Sequence, residues 1–179
     1  MKFLSHYRCI VLDRDGVINE DSDDYIKAVD EWRPIAGAIA AIAALKQQGL
    51  LVCVATNQSG VGRGYYTLTE LHAMHAKLNL LLADQGAAID GIYLCPHHPD
   101  DGCDCRKPRT GLLQQIAADH QLKPSDILFV GDSKSDYDCA LSFGCDFVLA
   151  LTGKGSQTGA KLPVSVVRIA DLPTLVRAG

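Results

Sequence analysis

The sequence predicts an α/β fold, a doubly wound parallel sheet covered by helices on both faces. Three features of the 179 residues carry this prediction: short β-branched apolar runs recur, stretches of helical length separate them, and polar clusters follow the runs. Cys9 to Leu12, Leu50 to Ala55, Ile89 to Leu94, Ile127 to Val130 and Phe147 to Leu151 read as buried strands. Helices are expected at Ile35 to Gln48, Leu68 to Asp84, Gly111 to His120 and Ser135 to Phe143, with Gly49, Gly86 and Gly144 as stops. Gly153 to Val164, rich in Gly, Ser and Lys, reads as a surface loop. No long insertion interrupts the pattern, so residues 1–179 are expected to form one domain without a separate cap domain.

Hydrophobic residues make up 47% of the chain, enough for a sizeable core. Seventeen basic residues against 21 acidic ones give a net charge of -4 with no basic stripe, which disfavours nucleic-acid binding. Met1 to Arg8 carries no signal-type apolar region, and no run approaches the roughly 20 apolar residues that span a bilayer. A soluble, cytoplasmic monomer is the expectation. Of the seven cysteines, Cys9, Cys53, Cys139 and Cys145 sit in apolar or helical stretches and read as reduced core residues.

In a doubly wound sheet the ligand site lies beyond the carboxyl ends of the strands. The residues that follow the strands here are Asp13-Arg14-Asp15-Gly16, Thr56-Asn57-Gln58-Ser59, a cysteine loop running into Arg106-Lys107-Pro108, and Gly131-Asp132 with Asp136 beyond. Asp13 and Asp15, two apart, point to the same side if the chain stays extended, and their repulsion calls for a divalent cation. Asp132 supplies a further oxygen donor, and a set of hard oxygens suits Mg²⁺. Thr56 can donate a hydroxyl hydrogen, and Lys107 a positive charge, to phosphoryl oxygens. These groups are sufficient for phosphoryl transfer, with Asp13 as nucleophile and Asp15 as acid and then base.

The set Asp13-x-Asp15-Gly16-Val17, Thr56-Asn57, Lys107 and Gly131-Asp132-x-x-x-Asp136 resembles the four motifs of the haloacid dehalogenase-like phosphatase superfamily, and it spans most of the chain. The resemblance implies Mg²⁺ held by Asp13, the Asp15 backbone carbonyl and Asp132. Asp136 is implied as a supporting acid.

Cys95-Pro96-His97 followed by Cys103-Asp104-Cys105 offers three thiolates and an imidazole, a closed tetrahedral set for a structural Zn²⁺. His98 fits the set less well than His97 and is expected to face solvent or the site. The loop leads straight into Arg106 and Lys107, so zinc would fix the backbone that aims them. With Asn57-Gln58-Ser59-Gly60-Val61-Gly62-Arg63-Gly64, the loop is similar to the branch that contains heptose bisphosphate 7-phosphatases and histidinol-phosphate phosphatases. The heptose members are the closer resemblance. They imply removal of the 7-phosphate from a sugar bisphosphate in lipopolysaccharide precursor synthesis, with Asn57, Gln58, Ser59, Arg63 and Arg106 as substrate contacts. Histidinol phosphate is the alternative substrate, and a silent zinc-stabilised module binding phosphate or nucleic-acid ends is the alternative of another class.

Two departures bear on substrate contacts: Ser133 follows Asp132, with the basic Lys134 one place later, and the loop before Cys103 is short. The glycines from Gly60 to Gly64 do not form a dinucleotide fingerprint. His72 and His75 lie three apart on a predicted helix without a third ligand and read as a surface or partly packed pair. Tyr25 and Trp32 fall in the segment after the first motif.

Overall fold

The computed structural model describes residues 3–178. Its centre is a six-stranded parallel sheet of β1 (Cys9–Leu12), β2 (Leu51–Asn57), β3 (Gly91–Cys95), β4 (Ile127–Gly131), β5 (Asp146–Ala150) and β6 (Val167–Ile169). The strand order is β3-β2-β1-β4-β5-β6, so the direction of winding reverses at β1. β1 pairs with β2 on one side and β4 on the other, Leu12 lying beside Val54 and Val130. The carboxyl ends of these three strands therefore form one ledge at the switch point.

Alternation along the strands splits the core into two layers. Ile10, Leu12, Val52, Val54, Leu128 and Val130 face one cluster with Ile42, Leu45, Met74, Leu78 and Leu175, contributed by α1 (Ala38–Gln47), α3 (Leu68–Ala83) and α7 (Leu172–Ala178). Cys9, Val11, Cys53, Ala55, Ile127 and Phe129 face the other with Leu112, Leu113, Ile116, Cys139 and Ala140, from α4 (Gly111–Asp119) and α5 (Lys134–Phe143). Two-sided burial explains why these strands read as continuous apolar runs. Cys9, Cys53 and Cys139 are core residues as expected, while Cys145 is half-buried at the edge of that layer.

The structure corrects several sequence readings. α1 begins at Ala38 rather than Ile35, because the Ile35 N–H donates to Ile18 O at 2.9 Å and Gly37 turns the chain at φ 79°. β6 and α7 extend the fold beyond the predicted elements. Gly153 to Val164 is not only loop: it contains α6 (Gly155–Gly159) and returns Lys154 to the ledge. A four-residue helix, α2 (Ser59–Gly62), follows β2. Trp32 is fully buried in the first layer, and no helix of the described residues is long and apolar enough to cross a membrane.

Candidate active site

The ledge opens into a cleft of about 300 Å³ lined by residues that include Asp13, Asp15, Asn57, Gln58, Ser59, Arg106, Lys107, Asp132 and Lys154. Lys107 stands at its base, 2% exposed, although it arrives from the loop after β3. Its Nζ lies 3.0 Å from Asp13 and 2.6 Å from Asp136, and donates to Ala55 O at 2.8 Å. Asn57 holds the backbone of Lys107 on both sides: its Oδ1 accepts from Lys107 N at 3.0 Å and its Nδ2 donates to Lys107 O at 3.1 Å. The β2 end thus fixes the lysine, and two carboxylates hold it protonated against the cost of burial.

Asp13, Asp132 and Asp136 bring carboxylate oxygens within 4.8 Å of one another. Burial first, then the charge of Asp136, pushes the Asp13 carboxyl well above the usual range despite Lys107. The same two causes raise Asp132 to about 7. Glycine makes this packing possible, since a Cβ at Gly16 or Gly153 would overlap the Asp132 carboxylate, and both have positive φ. A carboxylate cluster of this kind, hard in its donors and only partly neutralised by Lys107, fits Mg²⁺.

The Asp15 carboxylate does not join the cluster of Asp13, Asp132 and Asp136, because the strand ends at Leu12 and the backbone turns. Its carboxylate is held by Arg14, whose Nε and Nη2 donate at 3.1, 2.8 and 3.0 Å, by Asn19 at 2.8 Å and by Gln58 at 2.7 Å. Burial alone would raise its pKa, but Arg14, Asn19 and Gln58 together lower it. The converging carboxylates are accordingly Asp13, Asp132 and Asp136.

The other expected contacts divide. Ser59 and Arg106 line the cleft, whereas Arg63 is exposed and outside its lining. Gln58, only 2% exposed, is spent on Asp15, on Thr56 at 2.8 Å and on Tyr66 at 2.7 Å. Thr56 itself is 1% exposed at the end of β2. Ser133 and Asp136 cap α5 reciprocally, and Lys134 turns outward to Asp138 at 2.5 Å, so the departure after Asp132 is a helix cap.

Sequence reasoning missed Arg14, Tyr66 and Lys154. Lys154 donates its backbone N–H to Asp132 at 2.7 Å and sets its Nζ 3.2 Å from Asp21 across the mouth. It follows the carboxyl end of β5, which is the signal that marked the other site residues. His75 is 7% exposed, with Nε2 3.5 Å from Arg14 Nη1, and burial followed by the Arg14 charge lowers it to about 4.

Beside the cleft, Cys95, His97, Cys103 and Cys105 gather their donor atoms within 4.8 Å. The distances are 3.6 Å for Cys95–His97, 3.5 Å for Cys95–Cys103 and Cys103–Cys105, and 3.2 Å for His97–Cys105. A tetrahedron with Zn–S of about 2.3 Å and Zn–N of about 2.0 Å has edges of roughly 3.5–3.8 Å, so the set fits zinc. His98 is no part of it: its Nδ1 accepts from Asp100 N at 3.3 Å and caps the turn over Pro99–Asp101. A Cβ at Gly62 would strike the backbone of His97 and His98, so that glycine lets α2 pack directly on the loop.

Residues 104–172 match the HAD-hydrolase-like family. The chain is 51% identical over 171 residues to the D-glycero-β-D-manno-heptose-1,7-bisphosphate 7-phosphatase of Pseudomonas putida, covering 95% of this chain and 98% of the relative. It is 54% identical over 170 residues to the enzyme of that name from Pseudomonas aeruginosa, covering 94% and 96%. The crystal structure of D,D-heptose 1,7-bisphosphate phosphatase from B. bronchiseptica, complexed with magnesium and phosphate, superposes with a TM-score of 0.92 at 42% identity, covering 95% of this chain and 96% of that one. Identity at this level over nearly the whole length of both chains decides the matter: the chain belongs to the HAD-like hydrolases, in the family of the D-glycero-β-D-manno-heptose-1,7-bisphosphate 7-phosphatases.

Proposed function

We propose that this protein hydrolyses the 7-phosphate of D-glycero-D-manno-heptose 1,7-bisphosphate through an aspartyl-phosphate intermediate. The observation that carries the chemistry is the buried Lys107 held between Asp13 and Asp136 at the base of the cleft. Lys107 neutralises equatorial phosphoryl charge while Asp13 attacks phosphorus, and Thr56 donates to a phosphoryl oxygen. Asp15 protonates the departing sugar alkoxide and afterwards takes a proton from the water that attacks the intermediate. In the free protein Arg14, Asn19 and Gln58 keep Asp15 ionised, so the proton it gives to the alkoxide is taken up as the negatively charged substrate binds beside Arg14.

Asp13 and Asp132 would hold Mg²⁺ with the Asp15 carbonyl, Asp136 supporting Lys107. When bound, the ion offsets the charge of the carboxylates and of the phosphate. Zn²⁺ on Cys95, His97, Cys103 and Cys105 is structural. Arg106, Asn57 and Ser59 are read as substrate-side residues, and Gln58 as a support beneath them. We read residues 1–179 as one domain, since a single sheet runs from Cys9 to Ile169. The seven free cysteines fit a reducing cytoplasm, and a cleft complete within one chain fits a monomer.

The test is turnover on the two candidate substrates side by side with Mg²⁺. kcat/KM is expected to favour the heptose bisphosphate by at least about tenfold. A higher value for histidinol phosphate would overturn the assignment, and phosphate release from neither would favour the silent binding module.

Magnesium should also act on stability. Asp132 has a folded pKa of about 7, above its unfolded value of 3.8, so the folded state holds the extra proton between these limits. Its contribution to the stability of the metal-free protein therefore falls as pH rises from about 4 to about 7. The gain in Tm on adding Mg²⁺ is expected to be larger at pH 8 than at pH 6. Equal gains would show that proton and metal do not compete at the site.

A further inference from the structure

Gln58 bridges three side chains of the cleft, and the mechanism gives it no contact with the reacting atoms. Its Nε2 lies 2.7 Å from an oxygen of Asp15 and 2.8 Å from Thr56 Oγ1, while its Oε1 lies 2.7 Å from the Tyr66 hydroxyl. An ionised carboxylate accepts only, so the amide nitrogen must face Asp15 and both of its hydrogens are assigned. Tyr66 must then donate to Oε1. It is 6% exposed, and burial above all raises its pKa to about 12, so the hydroxyl keeps its proton. Thr56 in turn must accept from Gln58, which leaves its own hydrogen free.

We infer that Tyr66 and Gln58 are positioning residues that fix the direction of the Thr56 hydroxyl, making it a donor to the transferring phosphoryl group. The inference rests on the phosphoryl role of Thr56 proposed above. Without the Tyr66 hydroxyl, Oε1 is a buried acceptor with no partner, and the amide loses the contact that holds its plane. An amide displaced from that plane would release Thr56 Oγ1, and the hydroxyl would no longer be held as an acceptor with its hydrogen aimed at phosphate.

The chain is shaped to keep this contact. A Cβ at Gly60 would overlap the Tyr66 ring and crowd its hydroxyl, so the glycine is the recess that admits the tyrosine. The Tyr65 N–H donates to Gly60 O at 2.8 Å and closes the Gly60-to-Tyr66 loop on itself. Part of the glycine-rich run thus has a mechanical purpose.

The test is a pair of double-mutant cycles read by phosphate release from the heptose bisphosphate and from p-nitrophenyl phosphate. Tyr66→Phe keeps the ring and is expected to lower kcat about tenfold, with KM changed less than about twofold and Tm nearly unchanged. Added to Gln58→Met, which lowers kcat further, Tyr66→Phe should cost less than about twofold more, because the tyrosine acts through the amide. Added to Thr56→Val it should likewise cost less than about twofold. A full tenfold loss in either background would overturn the inference alone. Unimpaired turnover in Thr56→Val would overturn it together with the phosphoryl role of Thr56. The aryl phosphate keeps both readouts independent of which sugar phosphate is the natural substrate.

Discussion

Asp13→Asn is expected to lower turnover by about 10⁴-fold or more while leaving the metal-free protein at least as stable as the parent. The amide cannot attack phosphorus. It also has no charge to bury, whereas the carboxylate of Asp13 is opposed by burial and by the charges of Asp136, Asp132 and Asp15. Lys107 keeps Asp136 at 2.6 Å and the Ala55 carbonyl at 2.8 Å, so it is not left unpaired. Steady-state phosphate release and thermal melts in EDTA separate the two effects. If activity and Tm fell together, the loss would be a folding defect and the nucleophile assignment would lose its support.

The largest effect on stability is expected at the metal loop. Cys103 is half-buried, so Cys103→Ser disturbs little packing and reports on the metal itself. Zinc content should fall from near one equivalent to a small fraction, and Tm by about 10 °C or more. That drop corresponds to roughly 3–5 kcal/mol for a chain of this length. Turnover should fall at least about tenfold, since Arg106 and Lys107 continue directly from Cys105 and lose the anchor that aims them. Retention of a full equivalent of zinc with an unchanged Tm would overturn the ligand set.

Much of this architecture was legible in the residues. Cys9–Leu12 coincides with β1, and four further strands lie within two residues of their expected starts and ends, because strands buried on both faces must be apolar throughout. β6 escaped because three residues at a sheet edge, Val167-Arg168-Ile169, are too few and too polar to form a pattern. Asp13, Lys107 and Asp132 were legible because each follows a strand or leads on from its loop toward the ledge. Arg14 was read as the spacer between two aspartates, since sequence spacing does not reveal that a guanidinium folds back onto its own neighbour. Arg63, read from the glycine-rich run, lies exposed and outside the cleft lining, a placement that a run of residues does not reveal.

The position of β1 has one more consequence. Its four residues have zero exposure, and the Asp13 N–H that continues it donates to Val130 O at 2.9 Å. To loosen the backbone under the nucleophile, the chain would have to part β1 from both β2 and β4, which dissolves both core layers at once. Ser22 to Tyr25 at the mouth is tied by local turns, such as Tyr25 N to Ser22 O at 3.1 Å, and by single contacts of Asp23 to Lys154 and Tyr25 to Tyr65. The attacking oxygen therefore has no private unfolding mode and is as durable as the whole fold, while the entrance can breathe at small cost.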